Sequence, residues 1–131
     1  MKQLFLMIAV VMGQSVLAAD KKPLIADPTV EKVLRKELKK PEGELTKADL
    51  AKVRRLALST TRITDAGLKE VAKMKRLTKL HLSRTKITDA GLKEVAKLKQ
   101  LEYLNLAYTK VTKAGVVELK KALPKCEIVQ P

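Results

Sequence analysis

The chain has few of the residues that carry catalysis or crosslinking. Among its 131 residues there are one Cys, one His and no Trp, and aromatic residues make up 2%. The single thiol, Cys126, excludes a disulfide within the chain, so we expect it to be buried, the alternative being a bond between chains. Metal sites need several convergent ligands, and no CxxC or HxxxH motif accompanies His81. The sequence gives no support for a metal, a cofactor, a small-molecule substrate or an enzyme.

Long hydrophobic runs are also missing. The apolar run from Leu4 to Met12 is too short for a bilayer core, which needs about 20 residues. Lys2 precedes this run and the small residues that a signal peptidase selects follow it, ending at Ala18. That arrangement is typical of a secretory signal. We therefore predict a signal peptide at residues 1–18, with an uncleaved anchor as the alternative, and export to the periplasm or the exterior. No integral membrane segment is expected after cleavage.

Acidic residues are scarce relative to basic ones. Lys and Arg number 28 against 14 Asp and Glu, giving a formal net charge of +14. This excess favours solubility and attraction to polyanions, but it specifies no partner. The length suits one domain, and a hydrophobic content of 46% with few aromatics predicts an aliphatic core.

What the sequence does contain is a repeat. ITDAGLKEVAKMK at residues 63–75 recurs as ITDAGLKEVAKLK at residues 87–99, 24 residues later. With this interval the apolar positions align in three predicted repeats, at 53–76, 77–100 and 101–123. A constant interval of this length indicates a stacked-repeat architecture.

Each unit changes its periodicity from that of a strand to that of a helix. Leu80 and Leu82 alternate as in a short strand with one face inward. Leu92, Val95 and Leu98 then form the apolar stripe of a helix. Thr88 is expected to cap this helix and Asp89 lies in its first turn, while Gly91 is expected to allow close approach to a neighbour. Because TDAG recurs in successive units, a structural role is favoured over a catalytic one for its members, which include Asp65, Gly67, Asp89 and Gly91.

These residues resemble a known family. LxxLxL followed by Thr85, Ile87 and TDAGL is similar to the leucine-rich repeat, in its ribonuclease-inhibitor-like class, and to bacterial exported proteins with T-x-I-T-D-A-G-L repeats. The resemblance implies an α/β fold: a right-handed solenoid forming a short horseshoe arc, with parallel strands on the concave side and helices on the convex side. The family's usual Asn or Cys after the strand is Thr here, and we expect its hydroxyl to bond the turn backbone.

The ends of a solenoid need caps. Residues 27–52 are predicted to form a helical N-terminal cap, since Asp27 and Pro28 make a helix start and Thr46 with Asp49 has capping-box spacing. Residues 124–131 are predicted to add a C-terminal cap strand. Residues 19–26 are expected to be a disordered leader.

The predicted function is non-catalytic binding of a protein partner through the concave strand surface. Side chains between the inward leucines vary from unit to unit, and they include Tyr and Arg, which interfaces favour. The alternative is electrostatic binding of an anionic envelope polymer, nucleic acid or membrane surface by Lys-rich helices; a spacer or self-associating unit is a third possibility. The candidate concave residues are Arg55, Ala57, Lys79, His81, Arg84, Tyr103, Asn105 and Tyr108, and the candidate basic helical residues are Lys69, Lys73, Lys93, Lys97, Lys120 and Lys121.

Overall fold

The computed structural model describes residues 24–130, so the predicted signal peptide and the first part of the predicted leader lie outside the described residues. Helices and strands alternate through most of this part. In chain order the elements are α1 (Pro28–Leu38), α2 (Lys47–Ala51), β1 (Arg55–Ala57), α3 (Asp65–Val71), β2 (Lys79–His81), α4 (Asp89–Val95), β3 (Tyr103–Asn105), α5 (Lys113–Ala122) and β4 (Glu127–Val129).

The four strands form one parallel sheet in the order β1-β2-β3-β4. Leu56 pairs with Leu80 and Leu80 with Leu104, which is the 24-residue register expected from the sequence. Leu104 pairs with Ile128 of the fourth strand at the same interval. Helices α3, α4 and α5 pack against one another in the same order. Strands therefore form one layer and helices another, as in a leucine-rich repeat solenoid, while its handedness, the concave form of the sheet and the two capping roles stay predictions.

The core between the layers is aliphatic. Leu58, Leu82 and Leu106 are fully buried in one column, and the helical stripe that includes Leu92 is buried against them. Cys126 is buried at the end of the same core, as expected. Burial raises the pKa of its thiol, so the reactive thiolate form is disfavoured.

A threonine stabilises the turn that follows each of the first three strands. The hydroxyls of Thr61, Thr85 and Thr109 donate to the carbonyl oxygens three residues earlier, at 2.5, 2.7 and 2.8 Å. The expectation that a threonine hydroxyl bonds the turn backbone, where the family usually has Asn or Cys, is therefore confirmed.

The aspartate of the TDAG motif joins one repeat to the next. Asp65 accepts hydrogen bonds from the backbone N–H of Thr88 at 2.8 Å and from its hydroxyl at 2.6 Å. Asp89 accepts the same two bonds from Thr112, and these bonds hold the pKa of the Asp89 carboxyl below its usual value. The structural role predicted for this motif thus includes a link between repeats, besides the cap that Thr88 provides by accepting from the N–H of Ala90.

The motif's glycine is needed because that carboxylate lies against it. A Cβ placed on Gly91 would be 2.5 Å from Oδ1 of Asp65 and 2.6 Å from Cδ1 of Leu68. Such distances are well inside van der Waals contact, so the expected close approach is present, with the aspartate of the preceding repeat as its main partner.

Residues 24–26 do not behave as the disordered leader that we expected. Ile25 is 3% exposed and belongs to the core. The backbone N–H groups of Ala26 and Asp27 each donate to the Glu70 carboxylate at 2.8 Å, and Lys73 donates to the carbonyl of Leu24. Residues 24–26 therefore differ from that expectation, because the core buries Ile25 and the Glu70 carboxylate accepts from the N–H of Ala26.

Asp27 begins α1 by accepting from the N–H groups of Thr29 and Val30, with Pro28 in the first turn, as predicted. Thr46 and Asp49 form the predicted capping box of α2. These two helix starts are confirmed. In the described part, none of the helices has the length and apolar content needed to cross a bilayer.

The capping box of α2 gives a pH-dependent stability. The Lys40 ammonium, 2.8 Å from Asp49, and the N–H of Thr46 lower the pKa of the Asp49 carboxyl from 3.8 to about 2. Because the pKa is lower in the folded state, the stabilisation is present above the unfolded value and is lost as the pH falls from about 4 to about 2. We expect Asp49→Asn to flatten the fall in thermal midpoint across this range, measured by circular dichroism. An unchanged pH profile in the variant would contradict the assignment.

Candidate interaction surface

The variable strand side chains lie in rows across the sheet. Arg55, Lys79 and Tyr103 are register partners on β1, β2 and β3, and Ala57, His81 and Asn105 form the adjacent row. Their inward neighbours are fully buried leucines, whereas all six are exposed or half-buried. The predicted rows are therefore brought together on one face, which we call the strand face.

The fourth strand extends both rows, and this extension was missed in the sequence. Glu127 pairs with Tyr103, and Val129 pairs with Asn105. Adding the repeat length of 24 to residue 103 gives residue 127, so the interval already contained this signal. With Glu102, the new row member makes the β3–β4 end of the strand face acidic, opposite the basic β1–β2 end that carries Arg55 and Lys79.

A shallow depression lies between the two charged ends. His81 and Tyr103 form its centre, with ring centroids 5.3 Å apart and planes inclined by 49°. Burial, followed by the positive charges of Arg55 and Lys79, lowers the pKa of His81. The shift favours the neutral imidazole, which has one donor and one acceptor nitrogen beside the tyrosine ring.

Arg84 and Tyr108 lie in the turns that follow β2 and β3, beside the strand face. Their backbone φ angles are +58° and +60°, and Thr60 in the first turn has +62°, a conformation uncommon for non-glycine residues. The N–H of Arg84 donates to the carbonyl of Ala107 at 2.9 Å, which stacks the turns. The Arg84 guanidinium lies 5.0 Å from the centre of the Tyr108 ring, a cation–π geometry, and Tyr108 is 73% exposed.

Not every predicted site residue is available to a partner. The amide oxygen of Asn105 accepts from the N–H of Ala107 at 3.0 Å, so part of its hydrogen-bonding capacity holds its own turn. Ala57 offers a small exposed methyl group. The other six candidates have polar or aromatic groups that make no hydrogen bond to the backbone within the described residues. They are Arg55, Lys79, His81, Arg84, Tyr103 and Tyr108.

Most candidate lysines on the helices already have a partner. Lys97 pairs with Glu94 and Lys121 pairs with Glu118. Lys73 donates to the carbonyl of Leu24, and Lys120 donates to that of Cys126. Lys69 and Lys93 are the two of the six candidates with no side-chain partner among residues 24–130. The surface formed by the helices thus carries both positive and negative charges and is not a continuous basic patch.

Neither a metal site nor a Cys/His nucleophile pair has structural support among the described residues. Among residues 24–130, no three His, Cys, Asp or Glu side chains are grouped so that they could hold a metal ion. His81 lies on β2, whereas Cys126 directly precedes β4, two strands away and buried. A Cys/His nucleophile pair needs hydrogen-bond contact, and this placement separates the two residues.

A parallel sheet with a variable outer face and a constant leucine core defines a repeat protein of the solenoid class. The family described as Leucine Rich repeat matches residues 74–96. Together with the similarity to solved structures given next, this match supports a leucine-rich repeat protein.

Two solved structures have a similar fold. Both are internalins from Listeria monocytogenes. The internalin inlF superposes with a TM-score of 0.64 at 19% identity over 86% of this chain and 33% of its own. The internalin C2 gives a TM-score of 0.57 at 21% identity over 81% of this chain and 54% of its own. This chain therefore spans between a third and about half of these structures, and identities this low show the fold alone. No curated protein matches the sequence.

Proposed function

We propose that this protein is a non-catalytic interaction module that binds a protein partner through its strand face. The observation that carries the proposal is the contrast within each strand. Inward residues such as Leu56, Leu80 and Leu104 are identical across three repeats and fully buried, while the outward residues in the same registers all differ. A constant frame with varied outward side chains is suited to recognition by surface complementarity.

The chemistry of the strand face suits a protein partner. Tyr and Arg are enriched among residues that contribute most to binding energy, since each buries a large area and retains a polar group. Tyr103 and His81 form a preformed aromatic centre, and Arg84 already rests on Tyr108, so less side-chain entropy is lost on binding. Basic Arg55 and Lys79 at one end, with acidic residues at the other, would fix the orientation of a partner.

The size of the strand face limits how tightly it binds alone. Three strand spacings of about 4.8 Å and strands of three residues, at about 3.3 Å per residue, give roughly 14 by 10 Å, or about 140 Å² in projection. A standard interface buries about 800 Å² on each side. A stable partner therefore also has to cover the adjoining turns, where Arg84 and Tyr108 lie.

The location proposed for this activity is outside the cytoplasm. Residues 1–18 carry the signal-like pattern described above, and they lie outside the described residues. Export would place the module in the periplasm or the extracellular space, where the partner would be met.

The proposal is tested by affinity capture from an extracellular or periplasmic fraction of the native host. We expect a captured protein to remain bound at about 0.5 M salt, where charges are screened beyond a few ångströms. The double variant Tyr103→Ala with Tyr108→Ala is expected to lose that protein, because it removes both tyrosine side chains of the surface. Recovery is measured by quantitative mass spectrometry.

The matched control removes comparable exposed groups from the helical layer. Val117 is 54% exposed on α5, and Lys69 is exposed on α3, so Val117→Ala with Lys69→Ala should leave capture unchanged. Equal capture by the wild type and the tyrosine variant would overturn the proposal. Release of the partner by salt alone, with no dependence on the tyrosines, would favour the electrostatic alternative.

Electrostatic binding of an anionic polymer or surface by the lysines of the helices stays a prediction. The contacts of the lysine ammonium groups give it little support. Four of its six lysines are engaged with glutamates or backbone carbonyls. Sedimentation across a concentration series distinguishes a self-associating unit from either binding role.

A further inference from the structure

A row of basic residues lies between the turns that follow β1, β2 and β3 and the helices that come after them. Arg62, Lys86 and Lys110 occupy the same position in three successive repeats, at the 24-residue interval. We call these three residues the turn-edge strip. They belong neither to the strand face nor to the basic helical residues considered above.

Backbone hydrogen bonds between turns fix the spacing of the strip. The N–H of Thr60 donates to Ser83 at 2.9 Å, that of Arg84 to Ala107 at 2.9 Å, and that of Lys110 to Ile87 at 3.1 Å. The turns are therefore stacked at about the strand separation, close to 4.8 Å. The strip presents one positive charge at each step.

These charges are not neutralised within the described residues. All three side chains are exposed, and none takes part in an ion pair or a side-chain hydrogen bond within residues 24–130. The nearest aspartates in sequence, Asp65 and Asp89, direct their carboxylates to threonines of the next repeat.

Further groups extend the strip at both ends. Lys32 and Lys36 of α1 line the same depression as Arg62, which adds positive charge at the first repeat. At the other end, the exposed ring of Tyr108 lies two residues before Lys110, with Arg84 against the ring at 5.0 Å. The described residues thus add two cations beside Arg62 and an exposed aromatic ring two positions before Lys110.

We propose that the turn-edge strip binds a linear anionic polysaccharide, with carboxylate or sulfate groups along the cations and one sugar ring against Tyr108. An extended acidic peptide fits less well, because its same-face side chains recur at roughly 6.6 Å, longer than the step of the strip. Sequence-tolerant binding of single-stranded nucleic acid uses successive aromatic platforms, whereas Tyr108 is the one exposed aromatic side chain among residues 24–130. The exposed large hydrophobic side chains among the described residues are Tyr108 and Val117, which is too few for the continuous apolar face that binds a bilayer surface.

The test measures binding of the full chain to fluorescent heparin and polygalacturonate at about 0.1 M salt, where the Debye length is about 10 Å. The variant Arg62→Gln, Lys86→Gln, Lys110→Gln is expected to weaken binding roughly tenfold, since three exposed ion pairs are lost. The matched control is Lys69→Gln, Lys75→Gln, Lys93→Gln, which changes the net charge equally on exposed lysines outside the strip. It should change affinity less than about twofold, because these three lysines are not members of the strip.

Two further arms decide the class of ligand. Tyr108→Ala is expected to weaken binding of the polysaccharides and to leave binding of inorganic polyphosphate, which has no ring to stack, unchanged. Unlabelled heparin should displace the probe at lower concentration than poly-glutamate or a thymidine oligonucleotide of equal charge. Because every substituted side chain is exposed, circular dichroism and the thermal midpoint should match the wild type.

Equal losses in the strip and control variants would overturn the proposal, since binding would then follow net charge alone. Absence of wild-type binding to both polysaccharides, or stronger competition by the oligonucleotide or poly-glutamate, would also overturn it. The comparison of strip and control variants is independent of partner capture by the strand face, because none of the three strip residues belongs to that face; Tyr108→Ala is the one variant that bears on both proposals.

Discussion

Leu82→Ala is expected to lower the free energy of unfolding by about 2–5 kcal/mol, the range for a buried large-to-small change. Leu82 is fully buried on the inward side of the chain just after β2. Leu58 and Leu106 occupy the equivalent position in the neighbouring repeats, so stacked coils on both sides keep the resulting cavity from collapsing. Denaturant unfolding followed by circular dichroism measures the change.

The adjacent residue provides the matched control. His81 precedes Leu82 and points to the opposite face of the sheet, so His81→Ala is expected to cost less than about 1 kcal/mol. A one-residue shift of register would exchange the two effects, because it moves every side chain to the other face. A loss below about 0.5 kcal/mol for Leu82→Ala would contradict the strand register.

Gly91→Ala is expected to destabilise the protein by about 1–3 kcal/mol, as overpacking does. The sign is the informative part, because Ala is favoured over Gly in a helix interior by up to about 1 kcal/mol. Here the new methyl group would meet Oδ1 of Asp65 at 2.5 Å and Cδ1 of Leu68 at 2.6 Å. Moving Asp65 away would break its two hydrogen bonds to Thr88. The thermal midpoint and denaturant unfolding both report the change.

A double-mutant cycle with Asp65→Ala identifies the cause. Residues in contact give non-additive effects, and once the carboxylate is gone part of the clash with the Gly91→Ala methyl group is gone too. The double variant should therefore lose less stability than the sum of the single variants. A Gly91→Ala protein more stable than the wild type would show that the close approach is absent.

The strand register could be predicted from the sequence because it depends on two local facts. Leu80 and Leu82 alternate, and every inward residue recurs after 24 positions. Parallel stacking follows once each unit contributes the same strand in the same order, so the partners of Lys79 and His81 follow from subtraction alone. Burial of Cys126 follows similarly from its place at the end of the apolar pattern.

The link between Asp65 and Thr88 could not be read from the pattern. Asp65 lies in the first turn of its helix, where the helix dipole already accounts for an acidic residue. Only the distance between adjacent repeats shows that the Asp65 carboxylate reaches the next repeat. The contact between Glu70 and the N–H groups of Ala26 and Asp27 was hidden for a similar reason. It joins residues more than forty positions apart that share no motif.

The candidate surface was predictable in its rows and incomplete at its edges. Arg55, Lys79 and Tyr103 follow from the alternation of each strand. Glu127 belongs to the same row, but the repeat is degenerate after Pro124, so the interval was not extended to it. The positive φ of Arg84 and Tyr108 is a backbone property that neither residue type favours, so nothing in the local sequence indicated it.

The aspartate link has a consequence for lengthening the molecule. A duplicate of residues 77–100 inserted after Gln100 would carry its own threonine, aspartate and glycine. Asp89 would then bind the inserted threonine, and the inserted aspartate would bind Thr112, so the joints on either side would be the same as before. A copy placed directly after α5 would lack such a joint, because Lys113 occupies the position of Asp65 and Asp89. The stack of repeats can therefore grow by whole units in its interior, and each added unit would carry another cation equivalent to Lys86.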